Sequence, residues 1–220
     1  MQNTVIKGVV FDLDGVMLDS EAISIGVWRN ILSKYDTELS DEDYGKIIGM
    51  SSAPAVDFII KQTGAPVDVH KMIDIHWNEL IIAIQARGEA EPGLSDVLDH
   101  FANLSLPLAV ASNSPSHYVH SVLEALGVKD RFISVTCADE ISHSKPHPEI
   151  YLKAAESLNV APKDCLAIED SPVGLQAALS AGMRCVVIQN QHIKEPDYSG
   201  AFSKHPTLVD YLNQISTSLN

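Results

Sequence analysis

Positive charge is scarce in this 220-residue chain: 15 lysines and arginines stand against 29 aspartates and glutamates, a formal net charge of −14 at pH 7. Nucleic acid and anionic lipid would both be repelled by such a surface, so neither is expected as a partner. Cysteine is rarer still. Cys137, Cys165 and Cys185 are too few, and odd in number, for a disulfide framework. Each sits in or beside an apolar run, which suits buried reduced thiols and a reducing compartment. No apolar run approaches ~18 residues, so no membrane helix is expected. The first residues, MQNTVIKGVVFDLD, lack the charged and apolar regions of a signal peptide. A cytoplasmic protein, monomeric or weakly dimeric, is the expectation. What is present is ordinary for a globular chain, 45% hydrophobic and 20% charged, which excludes disordered, collagen-like and coiled-coil classes.

Short apolar runs at Lys7–Phe11, Leu106–Ala111, Phe132–Thr136, Cys165–Ile168 and Cys185–Ile188 read as buried strands. Amphipathic stretches at 94–104, 116–126, 149–158 and 173–181 separate them. Strands of this kind alternating with helices imply an α/β fold, a doubly wound parallel sheet covered on both faces. The alternation fails between about Asp19 and Glu91, where only helical periodicity is found, over 22–35, 41–48, 53–63 and 69–87. Some 73 residues of helix are too many for one crossover. The chain is therefore divided into a core of 1–18 and 92–220 and an inserted helical domain of 19–91. Residues 191–206 read as turns, followed by a short helix over 208–215.

In open α/β sheets, ligands bind at the carboxyl ends of the strands. The first strand ends at Asp12 and Asp14, the second at Ser112, Asn113 and Ser114, and the fourth at Glu169, Asp170 and Ser171. A further loop carries Lys145 in Ser144-Lys145-Pro146. Four carboxylates on one rim repel each other unless a cation joins them, and hard oxygen donors suit Mg²⁺. A metal, a lysine and small polar groups meet the needs of phosphoryl transfer. One carboxylate can attack phosphorus, and another, two residues on, can move the proton of the leaving group.

Together Phe11-Asp12-Leu13-Asp14-Gly15-Val16, Ser112-Asn113, Ser144-Lys145-Pro146 and Ile168-Glu169-Asp170-Ser171 resemble the four motifs of the haloacid dehalogenase superfamily, in order. The helical insert resembles that superfamily's C1-type cap, and the branch is that of β-phosphoglucomutase and small sugar-phosphate phosphatases. The resemblance implies Asp12 as nucleophile, Asp14 as general acid/base, and Ser112, Asn113 and Lys145 as phosphate binders. It implies Mg²⁺ held by Asp12, the backbone carbonyl of Asp14, and Asp170, with Glu169 a ligand or a partner behind the ligands. A carboxylate at Asp14 marks phosphatases and mutases and is absent from dehalogenases. A small phosphate monoester, a sugar or polyol phosphate, is the implied substrate, with contacts expected from Ser20, Glu21, Ser24, Ser51 and His117.

The mutase pattern wants a histidine where Ser24 stands and cations in a loop that here reads Ile47-Ile48-Gly49-Met50-Ser51-Ser52, so hydrolysis is favoured. A phosphoacceptor signalling module or a dead binding homologue fits less well, the first because it needs no helical insert. The nine histidines suggest a zinc centre, but His143 and His147 are four residues apart across a proline-bearing loop, and no carboxylate is expected to complete a site with them as a helical H-E-x-x-H would. Trp28 and Trp77 read as core.

Overall fold

A computed structural model describes residues 5–48, 50 and 52–217. The chain falls into two compact units, Met1–Asp19 with Glu89–Asn220, and Ser20–Gly88. The first holds six parallel strands, β1 (Gly8–Phe11), β2 (Leu108–Ala111), β3 (Ser134–Thr136), β4 (Cys165–Glu169), β5 (Arg184–Ile188) and β6 (Ser203–His205), ordered 3-2-1-4-5-6. The second is helical, with α1 (Ser20–Ser33), α2 (Asp41–Ile47), α3 (Ser52–Thr63) and α4 (Val69–Arg87). The remaining helices, α5 (Leu94–Asn103), α6 (Ser116–Ala125), α7 (Glu149–Ser157), α8 (Pro172–Ser180) and α9 (Leu208–Thr217), belong to the sheet unit.

The two-residue period of the strands sorts their side chains to opposite faces. Val10, Ala109, Ala111, Ala167, Cys185 and Val187 pack with Ile150, Tyr151 and Ala154 of α7 and Leu175, Ala177 and Ala178 of α8. The small alanines let both helices lie close to the sheet. On the other face Phe11 meets Phe101 of α5 edge-on at 6.1 Å, and Phe101 lies 6.4 Å from Tyr211 of α9. All three cysteines are buried and unpaired, and burial pushes the thiols of Cys165 and Cys137 up to about 11 and 12.

Strand β6 corrects the sequence expectation of turns over 191–206. It pairs with β5 from Val186↔Ser203 to Ile188↔His205. Its residues, Ser203-Lys204-His205, offer no apolar run to detect, because an edge strand of three residues buries only one side chain, His205.

Within the helical unit α1 lies against α4 and α3 against α4. Asp68 caps α4 by accepting the N–H groups of His70 and Lys71, and Ser40 caps α2 by accepting that of Asp43. Trp28 is buried and stacks on His76 with centroids 4.3 Å apart and planes 9° off parallel. Burial lowers the His76 imidazole to about 4, so that ring is neutral and packs as an aromatic.

Candidate active site

Register brings the rim residues together. Phe11 pairs with Ile168 and with Val110, so Asp12 leaves β1 beside Glu169 of β4 and close to Ser112 after β2. The backbone continues the ladder one step further: Asp12 N–H donates to the Ile168 carbonyl at 2.9 Å. The strand order reverses beside β1, which is where an open α/β sheet leaves its crevice.

Lys145 is the hub. Its Nζ donates to Asp12 Oδ1 at 2.8 Å and to Glu169 Oε1 at 2.6 Å, and all three residues are buried. The ammonium also lies 5.1 Å above the ring of Tyr151, whose hydroxyl donates to Glu169 Oε1 at 2.6 Å. The other oxygen of Glu169 accepts from Ser171 Oγ and from the Asp170 N–H, each at 3.2 Å. Glu169 is thus fully engaged and wholly buried, an anchor for Lys145. The lysine's own backbone N–H donates to Asn113 Oδ1 at 3.0 Å, so Asn113 ties the lysine loop to the end of β2.

Close packing leaves little freedom around these groups. A Cβ on Gly174 would stand 1.9 Å from Glu169 Oε1, and one on Gly15, whose φ is +76°, would stand 1.9 Å from Asp170 Oδ2. Either position admits glycine alone. Ser171 caps α8 by accepting the Gly174 N–H, with Pro172 at the first helical position, so a single turn both starts the helix and presents Glu169 and Asp170.

Asp12, Glu169 and Asp170 each offer an oxygen within 4.8 Å of the others. Burial, then the Glu169 charge, raises the Asp12 carboxyl from its ordinary 3.8 to about 7, against the pull of Lys145. Burial and the charges of Asp12 and Glu169 raise Asp170 as well. Burial opposes the charge on Lys145, yet Asp12 and Glu169 hold it above its ordinary range. Three buried carboxylates facing one ammonium leave an excess of negative charge. Asp12 Oδ1 is taken by Lys145, and Asp170 Oδ2 by the Asn190 amide at 2.6 Å. A hard divalent cation fits the remaining oxygens and the charge.

The Asp14 carboxylate stands apart from this cluster, accepting from Ser114 Oγ at 2.8 Å and Tyr118 Oη at 2.7 Å. Ser112 is buried, and its Oγ accepts the Ser114 N–H at 3.1 Å. His117 is exposed in the first turn of α6. Ser20, Glu21 and Ser24 lie in α1 of the helical unit. There Ser24 Oγ is 3.1 Å from His76 Nε2, and Glu21 accepts from the Tyr44 hydroxyl at 3.2 Å. Ser51 lies outside the described residues.

Sequence reasoning placed Ser114 on the rim without a role, and missed Tyr118, Tyr151 and Asn190. Asn190 had a signal, since it follows the end of β5 on the same rim. The tyrosines had none: both occupy apolar positions of amphipathic helices. One expectation is overturned. A carboxylate does accompany His143 and His147, because Glu149 turns back from the start of α7 to 3.0 Å from His143 Nδ1.

Residues 9–188 match the family model of haloacid dehalogenase-like hydrolases. The chain belongs to that family. It is 32% identical over 187 residues to the Bacillus subtilis protein YhcW, covering 84% of each chain. It is 30% identical to the fructose-1-phosphate phosphatase YqaB of Escherichia coli, over 83% of this chain and 96% of the relative. It is 29% identical to the β-phosphoglucomutase of Bacillus subtilis, over 82% of each. Among solved structures, CbbY from Rhodobacter sphaeroides in complex with phosphate superposes with a TM-score of 0.83 at 22% identity, over 94% of this chain and 96% of that one. The chain is an enzyme of this family's phosphatase and phosphoglucomutase branch.

Proposed function

We propose that this hydrolase removes phosphate from a small sugar or polyol phosphate through an aspartyl-phosphate on Asp12, with Mg²⁺ at the carboxylate cluster and the helical unit as its cap. The observation that carries the reading is the buried Lys145 held between Asp12 and Glu169 at the end of β1. Asp12 and Asp170 would hold the metal together with the Asp14 carbonyl. A bound ion would neutralise phosphate charge and polarise the ester.

Lys145 keeps Asp12 aligned and offers its charge to a phosphoryl oxygen. Asn113 spends its carbonyl on the Lys145 N–H, which leaves its amide N–H groups to donate to phosphate. Ser112 accepts through Oγ and so keeps its own hydroxyl hydrogen for the same use. Asp14, steadied by Ser114 and Tyr118, gives a proton to the leaving oxygen and later takes one from water. Monoester hydrolysis without catalysis is slow enough that accelerations of up to ~10²¹ are at stake. Covalent attack, a metal and preorganised donors are all called on.

A mutase reading draws support from the β-phosphoglucomutase relative, but the residues favour transfer to water. Lys46, the cation nearest the 47–52 loop in sequence, belongs to α2 and pairs with Glu42 at 3.2 Å and Asp43 at 2.8 Å. Purified protein with Mg²⁺ is expected to release phosphate from sugar phosphates, to yield glucose and no glucose 6-phosphate from glucose 1-phosphate, and to stop on adding EDTA. Turnover that survives EDTA would remove the metal from the mechanism, and glucose 6-phosphate would restore the mutase.

The raised Asp12 carboxyl makes a second prediction. Its folded value, about 7, lies above its ordinary 3.8. Between those values the folded metal-free protein holds a proton that the unfolded chain releases, so stability falls as pH rises through that window. A cation that binds the ionised form cancels the penalty, and must displace the proton at lower pH. The rise in melting temperature on adding Mg²⁺ is therefore expected to be larger at about pH 8 than at about pH 5.5. An equal rise at both would show that Asp12 is ionised throughout.

A further inference from the structure

His143 and His147 lie on either side of Lys145, and Glu149 opens α7 two residues later. The loop folds so that the carboxylate returns to both rings. Ser142 N–H donates to Glu149 Oε1 at 2.8 Å and His143 N–H to Oε2 at 3.0 Å, which fixes the carboxylate in place. Oε2 then stands 3.0 Å from His143 Nδ1 and 3.9 Å from His147 Nδ1, and the two rings are 4.6 Å apart. One donor atom from each residue falls within 4.8 Å of the other two. In a tetrahedral shell with bonds of ~2.0–2.1 Å, neighbouring donors are roughly 3.3 Å apart. Small side-chain rotations close the difference.

The hydrogen bonding makes the cluster receptive. His147 Nδ1 accepts the Glu149 N–H at 3.3 Å, so it carries a lone pair and no proton. It faces the Glu149 carboxylate oxygen 3.9 Å away, and a cation between the two would take this lone pair in place of the long contact with the Glu149 N–H. His143 Nδ1 meets the same oxygen. A neutral ring can carry its proton on Nε2 instead, freeing Nδ1 as a donor atom. Pro146 and Pro148 restrict the backbone on both sides of His147, which lowers the entropy lost on closing the site. The imidazoles are 65% and 50% exposed, so an ion reaches them from water, which can complete the shell.

We propose that His143, His147 and Glu149 form a second cation site, for a borderline divalent ion of the Zn²⁺ class. Two imidazoles and one carboxylate favour such an ion, whereas Mg²⁺ prefers the all-oxygen cluster of Asp12 and Asp170. The two centres are thus selective by donor type. An ion here would tie the segment that carries Lys145 to the first turn of α7, giving a second metal a hold on the lysine loop.

The test titrates Co²⁺ into the whole protein in saturating Mg²⁺ and follows visible absorption, then adds Zn²⁺. One Co²⁺ per chain is expected, with a visible band that Zn²⁺ abolishes. The double variant His143→Ala/His147→Ala is expected to bind at least about tenfold more weakly. Both side chains are exposed, so this variant should keep the parent's melting temperature and Mg²⁺-dependent turnover. An unchanged titration in the double variant, or a band lost in Asp170→Asn instead, would place the ion in the carboxylate cluster and overturn the proposal. Absence of any Co²⁺ binding would overturn it equally.

Discussion

Asp12→Asn is expected to cut phosphate release by about 10⁴–10⁶-fold, the scale on which an essential nucleophile is lost. The two side chains are the same size, and an amide oxygen can still accept from Lys145 at the position now 2.8 Å from its Nζ. What the amide lacks is the negative charge and lone-pair reactivity needed to attack phosphorus. The variant separates chemistry from folding because its effect on stability runs the other way. Asp12 is buried beside Glu169 and Asp170, and its carboxyl is pushed up to about 7. A neutral residue there relieves like-charge repulsion, so without metal the variant should melt no lower than the parent at about pH 8. Loss of turnover with an unchanged or raised melting temperature, and no acid-stable or trapped phosphoprotein, supports covalent catalysis at Asp12. Retained turnover would end that reading.

How much of this was legible before the structure depends on burial. Strands β1, β4 and β5 are continuous apolar runs, and the run marks each strand to within one residue. Helical periodicity marks α4 from Val69 to Arg87, and the structure adds that Asp68 caps its start. Strand β6 escaped, since an edge strand of Ser203-Lys204-His205 has no such pattern. The same logic governs the site. The carboxylates and Ser112 stand out because polar residues at the ends of apolar strands need a reason to be there, and Lys145 stands out as the one cation in the loops beside them. Tyr118 and Tyr151 do not, because their rings belong to the core and only their hydroxyls reach Asp14 and Glu169. Glu149 escaped for another reason. The familiar metal pattern sets its ligands on one helix, whereas here a proline-bearing loop brings Glu149 back to His143 and His147.

Lys145→Met should cost both activity and stability. Methionine matches the length of the aliphatic stem but leaves Asp12 Oδ1 and Glu169 Oε1 without their shared cation. Glu169 has no exposure at all, so water cannot replace the ammonium. Breaking a buried pair by removing one partner typically costs about 3–5 kcal/mol. For a domain of this size that corresponds to roughly 6–20 °C in melting temperature. Protonation of the orphaned acids would soften the loss, so the deficit should be smaller at about pH 5 than at about pH 8. Turnover should fall at every pH, because neither acid can supply the missing charge to phosphate. The partner test is Glu169→Gln in the Lys145→Met background. The amide keeps the volume and can still accept from Tyr151, while removing the unpaired charge. Stability should recover in part while turnover stays low, because the lysine's role toward phosphate is not restored. If Lys145→Met alone melted like the parent, the ion pairs would be incidental. If it turned over like the parent, the hub of the proposed mechanism would lie elsewhere on the rim.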